Sequence, residues 1–103
     1  MYKGTTPTFI LTLPQDVDLS IASNVYVSFA KNNGGAIEKT GDDLIVNGNV
    51  VNVFLTQKET LSFTNEVSVQ INWTYQEGSV VKRACTEIKT IDVSDNLISR
   101  AIE

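Results

Sequence analysis

The chain has 103 residues and a formal net charge of −4, and this length suits one domain with one hydrophobic core over residues 1–103. The eight basic residues are scattered, so the dense basic surface that nucleic-acid binding needs is not expected. The single cysteine excludes an intrachain disulfide, and no apolar run is long enough for a transmembrane helix.

The N-terminal stretch MYKGTTPTFILTLPQDV has a short apolar patch that is interrupted by threonine and followed by proline. This is not the layout of a signal peptide, so we expect the chain to be made, unprocessed, in a cytoplasm. Within the stretch, TFILTL places Phe9, Leu11 and Leu13 on one side, between two prolines that a central strand would not tolerate. The pattern predicts a first strand at or near a sheet edge.

Four more short strands are predicted in the first half of the chain, from NVYVSFA, AIEKT, DLIV and VVNVFL. The first of them alternates Val25, Val27 and Phe29 with residues of the opposite face. The run NNGG at residues 32–35 predicts a turn. In VNGNV, the pair Asn47-Gly48 predicts a tight hairpin with a type I′ turn.

The stretch LTQKETLSF interrupts the strand pattern with one helical turn near residues 56–61. Thr56 and Glu59 have the spacing of a capping box, in which each side chain accepts a hydrogen bond from the other residue's amide. Leu55 and Leu61 flank the turn and can reach the core. We expect the turn to close one end of the core where the chain crosses between sheets; a binding loop is the alternative.

The strongest strand signal is EVSVQINWTY, where apolar and polar residues alternate from Val67 to Tyr75. After a turn at QEGS, the run VVKRACTEIKTIDV predicts a long partner strand. Its apolar phase shifts after Ile88, so a β-bulge is predicted near Lys89–Thr90. The count of about seven strands, with turn signals every 8–12 residues or so, is typical of an antiparallel β-sandwich.

The tail SDNLISRAIE changes to a helical period and predicts a short C-terminal helix over about residues 95–102. Its apolar stripe is the candidate interface and consists of Leu97, Ile98, Ala101 and Ile102. A helix of this length is marginal by itself, so it must dock on its own sheet or on a neighbouring chain. We favour a neighbouring chain, and therefore a homo-oligomer.

The residue types that support catalysis are scarce. The chain has no histidine, so Cys85 has no imidazole to activate it and the commonest metal ligand is absent. No glycine-rich phosphate loop joins a strand to a helix. We therefore expect a non-enzymatic protein without cofactor or metal; a deep pocket with two facing carboxylates would instead favour an enzyme.

Four stretches carry a resemblance to a known group: GTTPTFILTLPQDVDLS, VYVSFAK, LTQKETLSF and VSVQINWTYQEGSVVKRACTEIKTIDV. Together they resemble small proteins encoded by phages and prophages of Gram-positive gut bacteria. They are similar in layout to the immunoglobulin-like N-terminal domain of phage baseplate upper proteins. The resemblance covers Gly4 to Val93. It implies an immunoglobulin-like sandwich and a virion structural role, with other virion proteins or copies of the chain as partners.

Two functional hypotheses follow from these observations. The first is a virion structural or assembly module, of tail or baseplate type, that acts through sheet edges, loop tips and the tail. The alternative is a host-adhesion module that binds surface polysaccharide by stacking sugars on Tyr26, Trp73 or Tyr75. Two exposed, roughly coplanar rings would favour the alternative. The phase of Trp73 matches the apolar face of its strand, which favours the core instead.

Overall fold

The computed structural model describes all 103 residues. One α-helix and eight strands follow the predicted order, and two 3₁₀ turns lie at Leu19–Ile21 and Gly41–Asp43. The elements are β1 (Thr8–Thr12), β2 (Asn24–Lys31), β3 (Ala36–Thr40), β4 (Leu44–Asn47), β5 (Val50–Phe54), α1 (Gln57–Leu61), β6 (Glu66–Glu77), β7 (Val80–Cys85) and β8 (Lys89–Asp92).

The strands form two antiparallel sheets, which confirms the predicted all-β architecture. The smaller sheet has the order β1-β5-β4, so the prediction that the first strand lies at an edge is also confirmed. The larger sheet has the order β3-β2-β6, and β7 and β8 both pair with the remaining edge of β6. Thirteen buried residues from both sheets and their connections make one core: Leu13, Leu19, Val27, Phe29, Leu44, Val51, Val53, Leu55, Phe63, Val67, Val69, Ile71 and Val93.

The predicted seventh strand is divided into β7 and β8 by one extra residue. Cys85 pairs with Asn72 and Lys89 pairs with Val69, so three residues oppose two on β6. The predicted shift in apolar phase is confirmed, but it lies at residues 86–88 and not at Lys89–Thr90. Thr86 explains the position, because its hydroxyl oxygen accepts a hydrogen bond from the amide of Ile71 and continues the ladder across the bulge.

The β4–β5 hairpin differs from its predicted turn. Asn47 pairs with Val50, so the two central residues are Gly48 and Asn49. Only Gly48 has a positive φ, of 61°, which is the pattern of a type II′ turn; the predicted type I′ turn centred on Asn47-Gly48 is wrong. Contacts with Leu13 hold Asn49 in place, because its side-chain amide donates to the Leu13 carbonyl and its own carbonyl accepts from the Leu13 amide.

Helix α1 connects the smaller sheet to the larger sheet, and the predicted capping box is present. The Thr56 hydroxyl accepts a hydrogen bond from the Glu59 amide (3.2 Å), and Glu59 Oε1 accepts one from the Thr56 amide (2.9 Å). Thr60 is fully buried, and its hydroxyl donates to the carbonyl of Thr5. The turn therefore closes one end of the core with its polar groups satisfied.

The predicted C-terminal helix is absent. After Asp92 the chain forms a single parallel bridge between Ser94 and Tyr2, and then continues without regular structure. Its backbone is fastened by side chains: Gln57 both donates to and accepts from the main chain of Ile102, and Asn96 donates to the carbonyl of Lys3. A short helix gains little from its own hydrogen bonds, and these contacts stabilise an irregular path with bends at Leu97 and Arg100 instead. Helix α1, the one α-helix, has five residues and is too short to span a membrane.

Candidate functional site

The outward face of the smaller sheet carries no charged residue. The strand register places Ile10, Asn52 and Ile45 in one row across β1, β5 and β4. Ile10 and Ile45 are each 69% exposed, and Phe54 at the end of β5 is 54% exposed. We call this surface the uncharged face, and its residues are Thr8, Ile10, Thr12, Ile45, Asn47, Val50, Asn52 and Phe54.

The outward face of the larger sheet is different, because it is polar and charged. It carries Glu38 on β3, Glu66 paired with Asp92, and Arg83, whose guanidinium donates to the side chain of Asn72. Charged and polar side chains of this kind are normally exposed to water, so this face gains little from being covered. The contrast singles out the uncharged face as the surface that gains most from a covering partner. The sequence does indicate the uncharged face, because Ile10, Ile45 and Phe54 occupy the outward phase of their strands, but this face was not predicted from it.

A partly buried ion pair lies at one border of the uncharged face. Lys39 occupies an inward position of β3, opposite the fully buried Val27, and its ammonium lies 2.8 Å from Glu59 Oε1. The same ammonium lies 5.6 Å from the centre of the Phe54 ring, within range of a cation–π contact. The pair thus joins the larger sheet, helix α1 and the edge of the uncharged face.

Burial and hydrogen bonding act in opposite directions on the Glu59 carboxyl. Burial raises its pKa, but the hydrogen bonds from the Lys39 ammonium and the Thr56 amide, together with the positive charge of Lys39, outweigh it and hold the pKa below the ordinary value of 4.5. Glu59 is therefore ionised near neutral pH and carries two roles, as a partner of Lys39 and as the reciprocal half of the capping box. The capping box was predicted from local spacing; the ion pair, across twenty residues of sequence, was not.

The four predicted interface residues are all exposed, but they do not share a helical face. Leu97 is fully exposed, Ile98 and Ile102 are about half exposed, and Ala101 is also at the surface. The tail lies beside residues 2–4 and ends next to Gln57 of α1. The sequence therefore indicated an apolar segment that the rest of the chain leaves exposed, but the helix predicted for this segment is wrong.

An open groove lies beside the free edge of β1, where the larger sheet extends past the smaller one. Its volume is about 880 Å³, and most of its lining is apolar. Leu11 of β1 forms one wall, while Ile71, Trp73 and Ile91 of the larger sheet form the floor. Sequence periodicity could not show this groove, because its existence depends on the unequal widths of the two sheets.

The three rings proposed for sugar stacking do not form one platform. Tyr26 pairs with Asn72 and faces outward, whereas Trp73 pairs with Val25 and faces the interior side of the sheet. Tyr26, Trp73 and Tyr75 are all half-buried. The carbohydrate-binding hypothesis therefore has no supporting observation here and stays a prediction.

Trp73 packs against the core from the floor of the groove and is half-buried rather than enclosed. We expect Trp73→Ala to lower the free energy of unfolding by about 1–3 kcal/mol, less than the loss for a fully enclosed aromatic ring. Chemical denaturation followed by circular dichroism measures the change. A loss above this range would mean that the groove is closed in solution. The emission of Trp73, the single tryptophan, should lie between that of buried and that of hydrated indole.

Comparison with protein-family models, curated proteins and solved structures finds no match to this chain. Three surfaces of the chain are open to a binding partner: the uncharged face, the groove beside β1 and the exposed tail.

Proposed function

We propose that this chain is a non-enzymatic structural or assembly module of a phage or prophage virion, of tail or baseplate type, and that its fold is an immunoglobulin-like sandwich. The observation that carries the contact role is the uncharged face with its three exposed apolar side chains, Ile10, Ile45 and Phe54. The virion assignment is supported by the sequence resemblance, and the immunoglobulin-like assignment by the packing of two antiparallel sheets around one core.

The physical argument for contact starts from the cost of hydrating this face. Exposed apolar surface costs roughly 25 cal/mol per Å², so covering three large side chains in one patch is favourable. The centres of protein interfaces are depleted in charge and enriched in such side chains. A charged partner face would leave its charges unpaired here, so the partner surface should also be largely uncharged. Either another virion protein or a second copy of this chain meets that requirement.

The test compares two lysine substitutions on strand residues of opposite sheets. Ile45→Lys places a charge in the uncharged face, and Ala30→Lys places the same charge on the outward face of the larger sheet. Both positions are exposed, so both variants should keep their stability within about 0.5 kcal/mol. Tagged chains are expressed in the strain that encodes the protein, and particles are purified after induction.

We expect wild type and Ala30→Lys in the particles, and Ile45→Lys reduced by about tenfold or more, as the loss of one large apolar contact and the burial of an unpaired charge would produce. Absence of the wild-type chain from the particles would remove the virion assignment. Equal incorporation of all three would place the contact on another surface.

A further inference from the structure

The groove beside β1 has the geometry of a missing strand position. The strand β1 pairs only with β5, so the amide and carbonyl groups of its other edge are free to pair with an added strand. No residue of β1 is charged, so nothing on this edge opposes pairing. A strand added there would lie over Ile71, Trp73 and Ile91 and cover the exposed part of the floor.

The exposed tail has matching length and chemistry. Residues 96–102 span about 23 Å when extended, and β1 spans about 17 Å, at roughly 3.3 Å per residue. In an extended strand, Ile98, Arg100 and Ile102 lie on one side. This side presents two apolar residues to the floor and one cation between them.

The charges of the groove are complementary to those of the tail. Only two of the residues that line the groove are charged, Glu87 and Lys89. Residues 96–102 of the tail carry one charged side chain, Arg100, and the acidic residues Asp95 and Glu103 lie just outside the two ends of this segment. Arg100 is therefore the natural partner of Glu87.

The tail does not reach its own groove in this structure. The Ser94 amide donates to the Met1 carbonyl and the Ser94 carbonyl accepts from the Lys3 amide, which directs the tail along the N-terminal segment and towards α1. The bonds that fasten the tail beyond Ser94 are exposed, so water can replace them when the tail moves. A neighbouring molecule can therefore receive the tail without disruption of either core.

We propose that the groove beside β1 is the docking site for residues 96–102 of a second copy of this chain, which add to β1 as an extended strand with Ile98 and Ile102 on the floor and Arg100 against Glu87. This contact between two copies of the chain uses a different surface from the one in the proposed function, and it does not depend on the virion assignment. A segment this short buries less than a standard interface, so the contact should appear at micromolar or higher concentrations.

Trp73 provides a direct readout, because the only tryptophan lies in the groove floor. A synthetic peptide of residues 94–103 is titrated into the full-length protein. We expect a saturable blue shift of the Trp73 emission. The Ile98→Asp peptide should bind at least tenfold more weakly. The matched Ser99→Asp peptide, whose new charge faces away from the floor, should bind like wild type. No shift with the wild-type peptide, or equal binding of the Ile98→Asp peptide, overturns the proposal.

A charge exchange tests the register independently of folding. The Arg100→Glu peptide should bind wild-type protein several-fold more weakly, and Glu87→Arg in the protein should restore its binding. In light scattering of the Ile45→Lys chain, in which contact through the uncharged face is weakened, mass should rise with concentration, and adding Ile98→Asp should abolish the rise. Failure of the charge exchange, or an assembly that persists in the Ile45→Lys, Ile98→Asp double variant, overturns the proposal. Ile45→Lys should leave the peptide titration unchanged, which separates this result from the test of the uncharged face.

Discussion

Replacing Phe29 with Ala should lower the free energy of unfolding by about 3–5 kcal/mol. The ring is fully buried on β2 of the larger sheet, and its centre lies 5.8 Å from that of Phe9 on the smaller sheet and 6.4 Å from that of Phe63. Truncation would remove the ring contacts of Phe29 with Phe9 and Phe63. It would also leave a cavity that can close only if the segments carrying these residues move together. The loss is a large part of the 5–15 kcal/mol or so that typically stabilises a domain.

Urea denaturation followed by circular dichroism measures this loss. The matched control is Ile10→Ala, which truncates a large apolar side chain on the uncharged face. Because Ile10 is mostly exposed, its truncation should change the stability of the isolated protein by no more than about 0.5 kcal/mol. Similar losses for the two variants would contradict the assignment of inward and outward strand phases.

Replacing Glu59 with Gln should destabilise the fold by about 2–4 kcal/mol at neutral pH, because Lys39 is left with a largely buried charge and no counter-ion. The expected loss is below that for a completely buried pair, since the Glu59 side chain retains some contact with water. The double variant Lys39→Met with Glu59→Gln should recover much of the loss, because it removes the unpaired charge. A double variant no more stable than Glu59→Gln would show that the loss has another origin.

Thr56→Ala serves as the control for the cap alone, with an expected loss of about 0.5–2 kcal/mol. The pH dependence of the ion pair has a definite sign. The pKa of Glu59 is lower in the folded protein than its ordinary value of 4.5, so its stabilising contribution is complete above about pH 4.5 and is lost as the pH falls through the folded-state pKa. The stability difference between wild type and Glu59→Gln should therefore shrink on acidification below pH 4.5. A difference that stays constant would exclude this linkage.

The amino-acid sequence by itself determined the features that depend on near neighbours in the chain. Alternation from Val67 onward predicted β6 because side chains in a strand point to opposite faces in turn, and this pattern needs no knowledge of the partner strand. The capping box of Thr56 and Glu59 was predicted for the same reason, since its two hydrogen bonds join residues three apart. The shift of phase after Ile88 likewise predicted one extra residue in the last strand.

Only the tertiary structure decided the features in which distant segments meet. The bulge lies at Thr86 because the Thr86 hydroxyl accepts a hydrogen bond from the Ile71 amide. The hairpin turn is centred on Gly48 and Asn49 because the Asn49 side chain donates a hydrogen bond to the Leu13 carbonyl. The tail does not form its predicted helix for a similar reason, because Gln57 binds the main chain of Ile102 through two hydrogen bonds and holds the tail in an irregular path. The uncharged face, the ion pair and the groove also depend on how the strands pair and on the unequal widths of the sheets. Local periodicity states which side of a strand is apolar, whereas the fold determines which apolar sides remain uncovered.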